Sequence, residues 1–387
     1  MYIKSKFVIV GSGGIGRAAA LMLSENRELD VELFIGDVNL NSAKEVVEWV
    51  KSGSSAITSI EAFHIDPKQE TEEMKYIFSS AQVILDCLPG SEAPRMAKFA
   101  LQYNLHYVNL TEYVKETDEI IALASNASTG FVLQSGLAPG YINILAHQLY
   151  KQFLKQYGGP VKSISMKVGA LTKMTQAPHF YGFTWSPIGV ATEYVKDAIV
   201  IKNGVKTTVP ALSQTTRLIL DGIQYEDDYT SGGAANLPDY FQGKVESLDY
   251  KTIRFPGHYD WVRSQIQEIG TKQDVEQALL AKMIEKIPHT EDDMIVLYVS
   301  VTGFDQNNTF RIKEKNLIIE PSEVGGYLLK AIQTCTVAPM LEAARMLLTG
   351  QYKGVILQSD LDPDQFLNGP FIQKVYQAKK ATGQLTV

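Results

Sequence analysis

Residues 7–16 read F-V-I-V-G-S-G-G-I-G, and no other segment restricts the fold so strongly. Four apolar residues predict a buried strand, and Gly11, Gly13 and Gly16 follow at the G-x-G-x-x-G spacing. Gly11 allows a tight turn out of the strand. Gly13 has no Cβ, so a pyrophosphate can approach the main chain, and Gly16 lets the next helix pack close to the sheet. The helix predicted over 14–26 points its free N–H groups and positive dipole end at that spot. A second strand over 31–36 ends in Asp37, twenty-one residues beyond Gly16, where a carboxylate can accept hydrogen bonds from ribose hydroxyls. The order predicts a dinucleotide-binding turn, with Gly11, Ser12, Gly13, Gly14, Ile15, Gly16, Asp37 and Val38 as its contacts. A Walker-type phosphate loop is excluded, because Arg17 and Ala18 stand where lysine and a hydroxyl residue are needed.

The same alternation continues to residue 135. Strands are expected at 7–10, 31–35, 60–64, 83–86, 106–109 and 130–134, with helices at 14–26, 40–52, 69–79, 92–103 and 115–127. This predicts an α/β fold with an N-terminal Rossmann domain, a doubly wound parallel sheet flanked by helices. The cofactor then belongs at the carboxyl ends of the strands, at the topological switch point. Three more strand ends become candidates for its contacts: Asp66 after the third, Cys87, Leu88 and Pro89 in the D-C-L-P-G loop after the fourth, and Thr111 after the fifth. Cys87 itself reads as a small packing residue.

Composition removes other classes of function. A net charge of −7 without any basic run argues against a nucleic-acid partner. The longest apolar segment, 294–301, is strand-sized, so no membrane span is expected. The opening M-Y-I-K-S-K runs straight into the first strand, which leaves no room for a signal peptide. Cys87 and Cys335 lie far apart without metal-type spacing, and the six histidines form no H-x-x-x-H pair. Reduced thiols in a cytoplasmic protein, and no metal site, are the expectation.

Beyond residue 136 the pattern changes to longer strands, at 161–171, 198–201, 217–223, 245–254, 294–302 and 309–319, with helices at 257–269 and 274–287. The expected division is a dinucleotide domain over 1–136 and an α+β domain with a large mixed sheet over 137–330. A helical stretch is expected at 325–348, and residues 331–387, the C-terminal helix and tail, are expected to pack back on the first domain. The acidic run Glu226-Asp227-Asp228 reads as solvated surface.

The second half also carries a resemblance. G-L-A-P-G-Y-I-N-I-L-A at 136–146, Y-G-F-T-W-S-P at 181–187, Glu193-Tyr194, I-K-N-G at 201–204, T-S-G-G at 230–233 and T-I-R-F-P-G-H at 252–258 follow the glycine turn in order. With them the chain resembles the saccharopine dehydrogenase family over nearly its whole length, especially the branch of lysine 6-dehydrogenase and saccharopine-reductase-like proteins. The resemblance implies oxidation at a C–N bond of an amino-acid substrate with a nicotinamide cofactor, and a second domain carrying substrate and dimer contacts, hence a homodimer. It puts Gly136, Leu137 and Ala138 at the substrate. Ala138 stands where saccharopine reductases usually carry an acid and lysine-type members an alanine. Ala234-Ala235-Asn236 departs from relatives, which commonly place Gly or Arg and then a hydroxyl residue there.

Reversible C–N oxidation needs a proton acceptor and a means of orienting the substrate. His179 and Tyr181, in the A-P-H-F-Y-G loop, and Glu112, after the fifth strand, are the candidate bases, with Lys173 and His258 behind them. Trp185 reads as a wall of the substrate site. Arg254 ends an alternating strand and can hold a carboxylate with two parallel hydrogen bonds. Asp37 would repel a 2′-phosphate, and Val38, Asn39 and Leu40 supply no arginine, so NAD is expected over NADP, with NADP possible. Two other readings stay open: a non-catalytic nicotinamide-binding sensor or scaffold, and a cyclodeaminase that recycles its NAD.

Overall fold

The computed structural model describes residues 5–26, 29–57, 59–111, 114–270 and 274–377. Strands β1 (Ser5–Val10), β2 (Val31–Asp37), β3 (Ile60–His64), β4 (Val83–Asp86), β5 (His106–Asn109) and β6 (Gly130–Val132) alternate with helices α1 (Gly14–Ser24), α2 (Leu40–Gly53), α3 (Glu72–Ser80), α4 (Ala93–Gln102) and α5 (Val114–Ala124). These are the expected elements, with their ends shifted by a few residues. Local chemistry sets several starts. Asn39 caps α2 by accepting from the Asn41 and Ser42 N–H groups, and Thr71 caps α3 by accepting from Met74 N–H. The strands pair in parallel in the order β6-β5-β4-β1-β2-β3. Successive strands go one way from β1 and then the other, so the switch point lies between the carboxyl ends of β1 and β4.

The second domain begins with α6 (Tyr141–Tyr157) and β7 (Val161–Thr172), followed by α7 (Pro187–Val195), β8 (Ala198–Lys202), β9 (Val205–Val209), β10 (Thr216–Leu220), β11 (Ile223–Tyr229), α8 (Leu237–Phe241), β12 (Ser247–Arg254), α9 (His258–Ile269), α10 (Val275–Lys286), β13 (Asp293–Phe304) and β14 (Phe310–Ile319). Its mixed sheet runs β10-β11-β12-β7-β13-β14, with the β8–β9 hairpin attached to β12. Only the β12–β7 pair is parallel. The hairpin β15 (Ser322–Val324) and β16 (Tyr327–Leu329) leads into α11 (Ala331–Leu347), β17 (Gly354–Ile356), α12 (Pro363–Leu367) and α13 (Pro370–Tyr376). Strand β17 returns to the first sheet beside β6, and α11 packs on α1. One apolar core therefore runs from Ile9 and Leu85 through Ala343 of α11 and Leu145 of α6 to Val299 of β13.

Three readings of the second half need correction. The strand expected at 217–223 is a hairpin that turns at Asp221-Gly222, and a second hairpin turns at Asn203-Gly204. All four turn residues have positive φ, the geometry a two-residue hairpin turn requires. The helix expected from 325 starts only at Ala331. Gly325 instead makes a turn at φ 55°, so close to Gly53 that a Cβ would lie 2.2 Å from the Gly53 carbonyl oxygen.

The acidic run is not solvated surface. Glu226, Asp227 and Asp228 lie in β11 and are buried. Asp227 meets Lys167 at 2.8 Å and Lys251 at 3.2 Å. On the other face, Glu226 accepts from the N–H groups of Gly257 and Tyr259 at the start of α9. Asp228 accepts from Gln214 and Tyr229 N–H and pairs with Arg263 at 3.1 Å. Each buried charge is compensated, which is the condition for burying it at all.

Candidate active site

The glycine turn has the form its spacing predicts. Gly11 has φ 98°, and a Cβ there would lie 2.8 Å from the Cys87 carbonyl oxygen, where the β1 and β4 loops cross the switch point. A Cβ on Gly16 would lie 1.8 Å from the Gly11 carbonyl oxygen. Around Gly13 an added Cβ meets nothing within 4 Å, and the residue is exposed at the N-terminus of α1. The arrangement suits a dinucleotide: an open main-chain cradle backed by unpaired helical N–H groups. Gly13→Ala is therefore expected to leave the melting temperature unchanged while weakening NAD binding about tenfold or more. Gly16→Ala is expected to cost about 1–3 kcal/mol of stability. Thermal melts and fluorescence titrations check both, and equal NAD affinity in Gly13→Ala would remove the turn from the cofactor site.

Asp37 sits at the end of β2 and accepts from Ser12 N–H at 2.8 Å, Ser12 Oγ at 2.7 Å and Asn39 N–H at 2.8 Å. Burial pushes its pKa up, but these donors and the Val38 N–H outweigh it and hold the carboxyl below the usual carboxylate range. Val38 beside it is 53% exposed. Asp66 lies past the end of β3 and is engaged by the Lys68 and Gln69 N–H groups of its own turn. Thr111 follows β5 two residues after Asn109. The Cys87 thiol lies 3.9 Å from the Met340 sulfur, and burial raises its pKa first, with the Asp86 charge adding to it, so it stays a thiol. Cys335 is also a free thiol.

Beneath this loop Asp86 is buried at the end of β4, accepting from Tyr107 Oη at 2.6 Å and Leu88 N–H at 3.0 Å. Burial pushes its pKa up to about 7, against those two hydrogen bonds. An acid with a raised folded-state pKa favours the fold while protonated. Its contribution is complete below its unfolded pKa of about 4 and is lost as pH rises towards 7. Stability should fall across that window by up to about 1.4 kcal/mol per pH unit. Asp86→Asn should flatten the slope, because an amide can accept from Leu88 N–H and donate to Tyr107. Urea unfolding of both proteins between pH 5 and 8 checks this, and parallel curves would refute it.

A small cavity of about 110 Å³ lies between the carboxyl edge of the parallel sheet and the second-domain sheet. Leu110 after β5, the 136–139 turn, and Ile332 and Thr336 of α11 close one side. Tyr250, Thr252 and Arg254 of β12, Val168 and Ala170 of β7, Trp185, and Glu193 of α7 close the other. Tyr250, Thr252 and Arg254 share a face because strand side chains alternate. Gly189 leaves room for Trp185, since a Cβ there would lie 2.4 Å from the indole ring. The structure therefore brings Gly136, Leu137, Ala138, Trp185 and Arg254 to one cavity. Glu193 also lines a larger cleft of about 800 Å³, between α5 and the 192–199 and 230–236 segments.

Arg254 is 1% exposed and held by a chain of hydrogen bonds whose polarity is determined throughout. The His179 carbonyl can only accept, so His258 Nδ1 carries the proton and donates to it at 2.6 Å. His258 Nε2 then accepts from the Tyr194 hydroxyl at 2.9 Å, and the Tyr194 oxygen accepts from Arg254 Nε at 2.6 Å. Arg254 Nη1 donates to the Ile253 carbonyl, and Nη2 lies 4.0 Å from Glu193 Oε2. Burial, and then the Arg254 charge, push the His258 pKa down to about 3, so the ring is neutral.

The candidate bases fare differently. His179 and Tyr181 are buried and line neither cavity; Tyr181 packs its ring under the Arg254 guanidinium at 4.8 Å. They support the arginine from behind. Both ring nitrogens of His258 are occupied by the chain just described. Lys173 pairs with Glu320 at 3.0 Å and with Asp292 at 3.8 Å. Glu112 lies outside the described residues. Residue-type reasoning passed over Glu193, whose only signal was its place in a quoted motif. Among the described residues no cluster of histidine, cysteine and carboxylates could hold a metal ion, and no helix is long and apolar enough to cross a membrane.

Two family models match the chain: the saccharopine dehydrogenase NADP binding domain over residues 7–133 and the saccharopine dehydrogenase C-terminal domain over residues 136–378. The mitochondrial alpha-aminoadipic semialdehyde synthase of Mus musculus is 23% identical over 206 residues, which are 53% of this chain and 21% of the mouse protein. The match thus spans about a fifth of that relative's length. Apo saccharopine dehydrogenase (L-Glu forming) from Saccharomyces cerevisiae superposes with a TM-score of 0.75 at 17% identity, covering 94% of this chain and 96% of the yeast chain. The homospermidine synthase of Legionella pneumophila, solved with NAD, has a TM-score of 0.66 at 15% identity, covering 100% and 95%. At such identities the superpositions show a shared fold. The two family models, meeting at the start of the 136–139 turn, establish that this chain belongs to the saccharopine dehydrogenase family.

Proposed function

We propose that the protein is an oxidoreductase that oxidises the C–N bond of an amino acid, of the saccharopine or lysine type, with a nicotinamide dinucleotide. The observation that carries this reading is the buried guanidinium of Arg254 on a cavity at the carboxyl edge of a dinucleotide-binding sheet. A dinucleotide held by the glycine turn and Asp37 would supply the hydride acceptor. The protein's own residues bind and orient. Arg254 holds the substrate carboxylate, and Leu110, Leu137, Trp185 and Ile332 exclude water from the reacting bond. The test is the appearance of reduced nicotinamide when folded protein is mixed with NAD or NADP and a panel of amino acids, saccharopine and lysine among them. No turnover with any of them would sink the reading.

NAD is expected to be the better cofactor, although the family domain is named for NADP. Asp37 is kept ionised by its donors, and its charge opposes a 2′-phosphate at the same ribose. Lys44, a turn into α2, weakens this preference without reversing it. A kcat/KM at least about tenfold higher with NAD than with NADP is the expected outcome. A preference for NADP would show that the phosphate is received elsewhere.

A further inference from the structure

We propose that Glu193 receives the ammonium group of the substrate and accepts its proton during the reaction, which makes the substrate an amine whose nitrogen is one carbon from its carboxylate. This deepens the reading above and rests on Arg254 holding that carboxylate.

Three observations lead to it. Glu193 and Arg254 line the same small cavity, and Arg254 Nη2 stands 4.0 Å from Glu193 Oε2. At that distance the two charges attract without a hydrogen bond between those two atoms. The amine nitrogen and carboxylate carbon of an α-amino acid are about 2.5 Å apart by ordinary bond geometry. A cation and an anion side by side on one wall are the complement of that zwitterion. Secondly, the guanidinium is fixed by Tyr194 and the Ile253 carbonyl, so its orientation towards the cavity is preset. Thirdly, among the described residues Glu193 is the one titratable side chain shared by the small cavity and the larger cleft. A proton taken up inside the cavity then has a route out. The other candidate proton acceptors that are described lie behind the arginine, are committed to the hydrogen-bond chain, or are paired at a sheet end.

The balance is simple. The substrate ammonium gives one proton to the Glu193 carboxylate, leaving a neutral amine. A bound oxidised dinucleotide would supply the acceptor for the hydride of the adjacent carbon, and the nitrogen lone pair of the substrate then closes the C=N bond. The iminium product carries the positive charge, and the glutamic acid returns its proton to water through the larger cleft.

The test compares amino acids with their counterparts lacking the α-amine: L-lysine against 6-aminohexanoate, L-norleucine against hexanoate, and L-glutamate against glutarate. Affinities are measured calorimetrically with saturating NADH, which cannot accept a hydride. For the best-bound pair, the native protein should favour the amino acid by about tenfold or more. Glu193→Gln should abolish that preference while leaving the amine-free acid bound within about twofold. Glu193→Asp, which keeps the charge, should retain part of it, and melting temperatures of both variants control for folding. A preference that survives in Glu193→Gln, or a native protein that does not distinguish the members of any pair, would overturn the role of Glu193. Either result with amino-acid oxidation intact leaves the proposed function standing. Binding of no pair and turnover of no amino acid would remove both.

Discussion

Asp227→Ala should destabilise the fold by about 3–5 kcal/mol, the usual cost of breaking a buried ion pair from one side. Asp227 is fully buried in β11 and compensates Lys167 and Lys251, while also accepting from Thr216 Oγ1 at 2.6 Å. Lys251 is 3% exposed. Its ammonium keeps the Gln214 carbonyl at 2.8 Å when the carboxylate is removed, but no counter-charge of equal proximity. A buried ammonium in that position bears its desolvation cost without a matching counter-charge. Urea unfolding at neutral pH measures the loss. Combining Asp227→Leu with Lys251→Met should recover part of it, because the more buried lysine is then apolar while Lys167 keeps its charge. A loss below about 1 kcal/mol in Asp227→Ala would mean that water enters the sheet and solvates the lysines.

Arg254→Lys should raise KM for the amino-acid substrate about tenfold or more while leaving the affinity for NAD unchanged. The fork of the guanidinium matters here. Nε and Nη1 are committed to Tyr194 and the Ile253 carbonyl, which leaves Nη2 and the outer hydrogen of Nη1 for a carboxylate. An ammonium on a shorter, unbranched stem cannot serve all of these at once. A tenfold change corresponds to ~1.4 kcal/mol, within the range for a charged hydrogen bond. The NAD affinity should not move, because Arg254 lies on β12 of the second domain and no residue of the glycine turn lines its cavity. Steady-state kinetics with a melting curve decide the matter. An unchanged KM, or a fall in melting temperature without a change in KM, would make the arginine a structural residue.

The first domain was legible because its information is local. A run of apolar residues, three glycines and a terminal acid each act within a few residues of themselves, so spacing carries the geometry. The second domain was less legible where the same local signal serves two outcomes. Glu226-Asp227-Asp228 has the composition of surface, and only the lysines that β7 and β12 bring alongside β11 make burial affordable. Asp221-Gly222 and Asn203-Gly204 did carry a hairpin signal, so the strand expected at 217–223 could have been divided, and β9 after the strand at 198–201 found, from sequence.

By itself the sequence determined the α/β class and the parallel sheet with its glycine turn, which follow from alternation and from glycine at positions of close approach. The family resemblance of its motifs added Gly136, Leu137, Ala138, Trp185 and Arg254 as expected substrate contacts, a part of the cavity wall. Tertiary structure alone decided which polar groups face that cavity. His179, Tyr181, Glu193, Tyr194, Arg254 and His258 are all polar residues within a stretch of eighty positions, and nothing local ranks them. Their roles separate only when β12, α7 and the start of α9 converge: the arginine faces the cavity, the tyrosine and histidine lock it from behind, and Glu193 stands beside it. A side chain's direction depends on partners distant in sequence, and hydrogen-bond polarity depends on the whole chain of donors and acceptors.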